Sequence, residues 1–457
     1  MKRARSIRRA AVSSRRHIIL VPGFAGFDAL GQLEYYAGVT PLFRHWKKAG
    51  GADRQDAVLH YFDNFPTAAV VIRAAKLRDY LAKRIARGEF LPGDSLALVG
   101  HSTGGLDIRR LIWDLAADYK KSANARYPVD GTHESPFTVS AGELVRVVNR
   151  IVFLSVPQFG TNFADWLRGH AAGRRAVVAE LRASVAVSQV PLLDRLQDWI
   201  SSSVATATRL DLMKAIQDAL SEAETPIDAE HMQVALAQEA ASELALWLRH
   251  AATDFGAIED LAADVDSNAA SPAHFDKKMR KQETDAWKRH HIRVRSYASV
   301  GTRPFDFDPA CPSPQWDLLN PFPYPETIQQ TGKSIGTDIV YRACYRACAG
   351  GPFQYPDIRH LPHPPMIIDE AGHQRTIAVW DNDGIVNSAS MLWPNGRETL
   401  LVNADHMDIV GHFRLVRAEH GVAGRKYQSY DLLKSGSGFD PNKFAQVWNS
   451  VFDFCVS

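Results

Sequence analysis

Gly100-His101-Ser102-Thr103-Gly104 is a G-x-S-x-G pentapeptide that closes the apolar run Leu96-Ala97-Leu98-Val99 and opens into an amphipathic stretch. That layout puts a serine on a sharp strand-to-helix turn with its hydroxyl pushed into the open. Glycines suit the flanking positions, because a strained turn leaves its neighbours no room for side chains. A serine hydroxyl becomes a nucleophile at neutral pH only when an imidazole takes its proton and a carboxylate orients that imidazole. Two late segments supply these groups: 375–387 places Asp381 and Asp383 beside a turn, and 398–408 places His406 just past the next apolar run. Both aspartates are candidates for the acid, since side chains two apart on an extended segment point the same way. His101 precedes the serine on its strand, which sends the ring away from the hydroxyl. His412 reads as a surface or structural residue.

Such a constellation needs a rigid frame. Strand-like apolar runs occur at 17–21, 96–100, 147–155, 292–299, 375–380 and 398–402, several of them separated by helical periodicity. The alternation predicts an α/β fold, a mostly parallel sheet with helices on both faces. Val70, Val71, Ala74, Leu77, Leu81 and Ile85 predict a helix that stops at Gly88, and Leu106, Leu111, Ile112 and Leu115 give the helix after the serine its buried side. Residues 170–285 break the pattern, being poor in glycine and helically spaced, as at Leu212, Met213, Ile216 and Leu220. We read them as a helical insertion over the carboxyl edge of the sheet, a candidate cap or lid, with a purely structural subdomain as the alternative. Its Leu192, Leu193, Leu196, Trp199, Leu246 and Trp247 would face lipid or form ordinary core. The expected organisation is a basic, solvated tail at 1–16, a first part of the core at 17–169, the insertion at 170–285 and a second part of the core at 286–457. Residues 121–140 read as a polar loop, and 303–327 and 352–366 as proline-rich connections.

With 457 residues, 46% of them hydrophobic, the chain has ample material for one large core with insertions. The net charge of +2, from 53 basic and 51 acidic residues, gives no field that would single out nucleic acid as a partner. Basic residues crowd the start, but Ile18–Val21 runs straight into Pro22 and Gly23, too short an apolar stretch for a signal peptide. No stretch approaches membrane-spanning length. The expectation is an intracellular protein, or an exported one trimmed at its start. Cys311, Cys344, Cys348 and Cys455 are too few to scaffold such a chain. Cys344 and Cys348 would stack on one helical face, a geometry poorly aimed for a disulfide, so reduced thiols are expected.

Four blocks carry a specific likeness. V-P-G-F-A-G-F-D-A-L-G-Q-L-E-Y-Y-A-G-V at 21–39, G-H-S-T-G-G-L at 100–106, N-D-G-I-V at 382–386 and D-H-M-D at 405–408 resemble bacterial triacylglycerol lipases of the Pseudomonas and Burkholderia type, within the α/β-hydrolase superfamily. Residues 153–167 are a weaker fifth match. In that family the acid is the aspartate of N-D-G and the base is the histidine of H-x-D, which selects Asp383 over Asp381 and assigns His406. The resemblance implies an α/β-hydrolase fold with Ser102 as nucleophile and no required cofactor. The substrates it implies are esters of fatty or other apolar acids, met at a lipid-water interface. It places the oxyanion hole at the backbone N–H groups of Phe24 and Thr103, each such donor being worth roughly 3 kcal/mol of barrier.

The chain departs from the family in having Pro22 where histidine is usual and Thr103 where glutamine or methionine is usual. Proline removes one donor but spares the N–H of Phe24. What holds the loop is then left to other residues. Asp408 matches a ligand of a structural calcium in those lipases, and Asp357 and Asp369 are candidate partners, since calcium takes six or more oxygens. The alternative is that Asp408 hydrogen-bonds near the histidine loop. The likeness spans about half the chain in short blocks and speaks to mechanism more than to substrate. A polyester depolymerase, an acyltransferase or a thioesterase would share the triad. A lipid- or protein-binding protein of hydrolase fold is the reading from another class.

Overall fold

Six apolar runs pair into one parallel sheet: β1 (Arg16–Val21), β2 (Ala57–Tyr61), β3 (Ser95–His101), β4 (Val148–Leu154), β5 (Arg293–Val300) and β6 (Thr399–Asn403). Their spatial order is β6-β5-β4-β3-β1-β2. The structure is a computed structural model that describes residues 14–24, 29–30, 33–65, 68–91, 93–122, 125–129, 138–169, 256–262, 271–304, 307, 335–350, 377–394, 399–414, 416–420, 426–429 and 431–457.

From β1 the chain steps outward to β2, then returns to the other side of β1 for β3 and continues in one direction to β6. This is the α/β-hydrolase order, and it creates a topological switch point between β1 and β3, where ligands of open α/β sheets bind. Helices cover both faces. On one side Ile19, Val21, Leu96, Leu98, Ile151 and Phe153 pack with α2 (Val70–Ala86), α3 (Thr103–Lys121) and α6 (Lys277–Arg289). On the other, Ile18, Leu20, Ala97, Val99, Val152 and Leu154 meet α1 (Val39–Ala49) and α8 (Pro441–Val456). Successive strand residues thus enter opposite cores, which is why the central strands read as continuous apolar runs. Side-chain caps start several helices: Asp440 accepts from the N–H groups of Asn442 and Lys443, and Ser140 and Glu143 form a capping box on α4 (Ala141–Val147).

The structure corrects the sequence reading in three places. Residues 377–380, the described part of the strand expected at 375–380, form a turn closed by the Asp381 N–H on the Ala378 carbonyl, 3.1 Å. The strand β2 was not anticipated, because it is a half-buried edge strand in which His60 interrupts the apolar pattern. Within the polar loop expected at 121–140, Arg126–Pro128 and Thr138–Ser140 pair as a short antiparallel ribbon.

Of the stretch 170–285, the described residues 256–262 and 271–285 lie against the core, with Ile258, Leu261, Ala262 and Ala273 buried in it. Glu283 on α6 receives both arms of Arg109 from α3, at 2.7 Å each, with both side chains fully buried. The rest of that stretch, in which an insertion was expected, lies outside the described residues, with Leu192 to Trp247, Cys311, Asp357 and Asp369. So do most of the two proline-rich connections and of the basic tail. Cys344, Cys348 and Cys455 are buried, the first two on α7 (Ile335–Ala349). No helix among the described residues is long and apolar enough to cross a membrane.

Candidate active site

The register of the sheet brings the strand ends to one rim. Val21 pairs with Gly100, His101 with Leu154, Leu154 with Tyr297, and Val300 with Asn403. The loops that follow β1, β3, β5 and β6 therefore emerge side by side. Ser102 stands between β3 and α3 with φ 52° and ψ −135°, a backbone conformation that side-chain-bearing residues rarely adopt. Its N–H is bound to the Leu154 carbonyl at 3.0 Å, and its own carbonyl accepts from Gly105 at 3.0 Å, so the strain is held from both sides. Gly104 must lack a side chain because a Cβ there would collide with the carbonyl oxygens of Val21 and Pro22.

The acid and the imidazole meet across two loops. His406 Nδ1 lies 2.8 Å from Asp383 Oδ2, and the His406 N–H donates to the Asp383 carbonyl at 3.0 Å. Asp383 Oδ1 accepts from the N–H groups of Ile385 and Val386, at 3.0 and 2.8 Å, which leaves Oδ2 for the ring. The turn owes its shape to its neighbours: Asn382 Oδ1 accepts from the Gly384 N–H at 2.8 Å, and Gly384 takes φ 96°, a region glycine enters freely. Asp381 faces elsewhere, accepting from the Ala378 N–H at 2.9 Å. The His406 ring lies against that of His101, centroids 4.6 Å apart, so it packs on the residue immediately before Ser102.

The loop after β1 is held by Arg73, which lies outside the quoted motifs, and by Tyr35, which lies inside the block 21–39. Arg73 on α2 donates from Nη2 to the Pro22 carbonyl at 3.0 Å. The same guanidinium pairs with Asp107 on α3 at 2.8 Å, and Asn64 Nδ2 donates to that carboxylate at 2.8 Å. Burial pushes the Asp107 carboxyl up to about 7, while Arg73 and Asn64 pull it down. On the other side the Gly23 N–H donates to the Tyr35 hydroxyl at 3.0 Å. A Cβ on Gly23 would come within 2.5 Å of the Ser102 Cβ, so the loop backbone lies directly on the serine. Phe24 follows, partly exposed. Thr103 opens α3, and first-turn N–H groups have no acceptor within their own helix.

Asp408 is joined by partners that the sequence did not suggest. Asp405, Asp408 and Asp431 each offer a carboxylate oxygen, all within 4.8 Å of one another. Burial drives the Asp405 carboxyl up to about 7, and burial plus the Asp405 charge raises that of Asp408. Ser435 and Ser437 donate to Asp405 and Asp408 at 2.8 and 2.7 Å. Oxygen-only donors in this arrangement suit a hard divalent cation such as calcium.

Ser102, Asp383 and His406, far apart in the chain, thus share one rim, together with Phe24 and Thr103. Sequence reasoning missed Arg73, Tyr35, Asp107, Asp405 and Asp431. Asp405, inside D-H-M-D, and Tyr35, inside the block 21–39, sat where a motif could have drawn the eye. His412 is buried and structural, its Nε2 donating to the Tyr35 carbonyl at 3.2 Å.

No protein-family model matches the chain, and no curated protein matches it in sequence. Several solved structures are similar to it at low identity. EstA from Clostridium botulinum is 17% identical over 88% of this chain and 84% of its own, with a TM-score of 0.39. Lipase 1 from Pelosinus fermentans is 15% identical over 87% and 94%, with a TM-score of 0.40. The lipase of Staphylococcus hyicus is 14% identical over 97% and 96%, with a TM-score of 0.39.

Proposed function

We propose that the chain is a serine carboxylic-ester hydrolase, lipase-like in preferring apolar acyl groups. The observation that carries this reading is the 2.8 Å contact of His406 Nδ1 with Asp383 Oδ2 at the rim where the strained Ser102 turn emerges. With Nδ1 committed to the carboxylate, Nε2 is the nitrogen free to serve as base. Ser102 Oγ attacks the ester carbonyl carbon as His406 Nε2 takes its proton. The tetrahedral oxyanion accepts hydrogen bonds from the N–H groups of Phe24 and Thr103. Collapse expels the alcohol, which takes the proton from His406, and leaves an acyl-enzyme. Water, deprotonated by the same nitrogen, then releases the acid. Asp383 holds the imidazole tautomer throughout.

Exposed Val71 and Ile72 at the start of α2, and Val379 beside the acid turn, stand on segments near this rim and favour an apolar substrate. Asp405, Asp408 and Asp431 would hold a calcium ion whose role is structural. It would neutralise carboxylates crowded beside the His406 loop and fix that loop in place.

The test is covalent labelling by a fluorophosphonate, run beside hydrolysis of p-nitrophenyl esters of rising chain length. The folded wild type should label once and hydrolyse esters, and Ser102→Ala should do neither. A folded wild type that takes no label and cleaves no ester overturns the reading in favour of a binding role. Parallel assays on polyester and thioester substrates separate the related hydrolases.

A further inference from the structure

Tyr35 and His101 lie outside the triad and the oxyanion donors, yet they connect the two. His101 is fully buried between Tyr35 and His406. Its Nε2 lies 3.0 Å from the His406 carbonyl oxygen, which can only accept, so Nε2 carries a proton. Its Nδ1 lies 2.6 Å from the Tyr35 hydroxyl, and that hydroxyl already accepts from the Gly23 N–H at 3.0 Å. One arrangement satisfies every group: Gly23 N–H donates to Tyr35 Oη, Tyr35 O–H donates to His101 Nδ1, and His101 Nε2–H donates to the His406 carbonyl. Burial, which disfavours a charged imidazole, keeps His101 in the neutral form this order requires.

The Tyr35 backbone is tied to the same region, because its carbonyl accepts from His412 Nε2 at 3.2 Å and the His412 N–H donates to the Met407 carbonyl at 3.1 Å. The links through the Tyr35 hydroxyl, the His101 ring and His412 Nε2 are buried, and none is a group consumed in ester cleavage. We propose that Tyr35 and His101 form a proton-ordered tie that holds the oxyanion loop in register with the catalytic histidine, and so act as positioning residues for the reaction. The proposal rests on the serine-hydrolase reading. The tie fixes where the Phe24 N–H points, through a hydroxyl twelve residues downstream of Gly23.

Tyr35→Phe keeps the ring packed against Tyr36 and His101 and removes only the hydroxyl. Tyr297→Phe is the control, a buried tyrosine whose hydroxyl donates to Ser450 of α8 at 2.9 Å and so touches none of Gly23, His101 and His406. Both are compared with wild type for kcat and KM on p-nitrophenyl butyrate, fluorophosphonate labelling rate and stoichiometry, and melting temperature. The expected result is a kcat and labelling rate lowered about 10- to 100-fold in Tyr35→Phe. KM stays within about twofold, stoichiometry is full, and the melting temperature falls about as far as in the control, as expected when a transition-state interaction alone is weakened. A kcat within about twofold of wild type overturns the proposal. So does a loss of activity that follows a proportional loss of labelling stoichiometry, which marks a merely structural role. A wild type that neither labels nor hydrolyses overturns the hydrolase reading itself, and is told apart because it appears before any variant is made.

Discussion

The two walls of the candidate site are built on different plans. The acid–base wall is local: Asn382, Asp383, Gly384 and Val386 satisfy one another within a single turn, and His406 joins them by one side-chain and one backbone bond. The oxyanion wall is assembled from afar. Pro22 and Gly23 are fixed by Arg73, Tyr35 and, through them, Asp107, Asn64 and His101. A short peptide can encode the first plan. The second exists only once the sheet and the helices α2 and α3 are in place, so the chemistry is written in motifs and its alignment in the fold.

The contrast breaks most sharply on the acid–base side. Asp383→Asn should lower kcat about 10⁴-fold with the fold intact, because the imidazole loses its tautomer control. Steady-state kinetics beside a melting curve check both halves of that statement. On the far side, Arg73→Met leaves the Asp107 carboxyl buried without its ion partner and should cost about 3–5 kcal/mol of stability, read by denaturant titration. Arg73→Met combined with Asp107→Leu should recover much of that stability while kcat stays low, since the Pro22 carbonyl still lacks its donor. If the double variant regains both, the loop does not depend on Arg73.

Removal of a bound cation comes next. A chelator should lower the melting temperature of the wild type by several degrees, an ion held at 100 times its Kd contributing about 2.7 kcal/mol. Asp431→Asn should shrink that difference, and an equal response of both proteins would exclude the acidic cluster.

The smallest effect lies away from both walls. Burial, Arg84 and His17 depress the His60 pKa to about 3, and His17 Nδ1 meets His60 Nε2 at 2.9 Å while its own Nε2 faces Asp94 at 3.2 Å. Unfolded, His60 takes up a proton near pH 6.5, so its share of stability is present above that value and is lost as the pH falls towards 3. His60→Gln should flatten the fall in melting temperature between pH 7 and 4, and an unchanged slope would remove His60 from the account.

Much of this was legible in advance because it rests on short-range rules. Five of the six strands of the sheet were readable as apolar runs, since each carries apolar residues into the cores, with Asn149 and Arg150 in β4 and Arg293 and Arg295 in β5 as polar interruptions. The elbow was visible in its glycines, and Asp383 and His406 in N-D-G and D-H-M-D. The edge strand β2 escaped because four of its five residues are only partly buried, and 375–380 misled because Ile377, Ala378 and Val379 have strand composition in a turn. The roles of Arg73 and Tyr35 were hidden for another reason. Arg73 sits in a segment that reads as ordinary helix, Tyr35 in a block whose resemblance assigns it no role, and each binds a backbone atom, which has no sequence signature.

Thr161, just before α5 (Asn162–Gly169), donates its N–H to the carbonyl of Leu261 at 3.3 Å. Two positions a hundred apart in the chain are thereby neighbours in space. For a flexible connection, joining its ends grows dearer by only about 0.6 kcal/mol per doubling in length. The contact between residues 161 and 261 is thus a seam, at which the number of intervening residues can change at little cost to the framework.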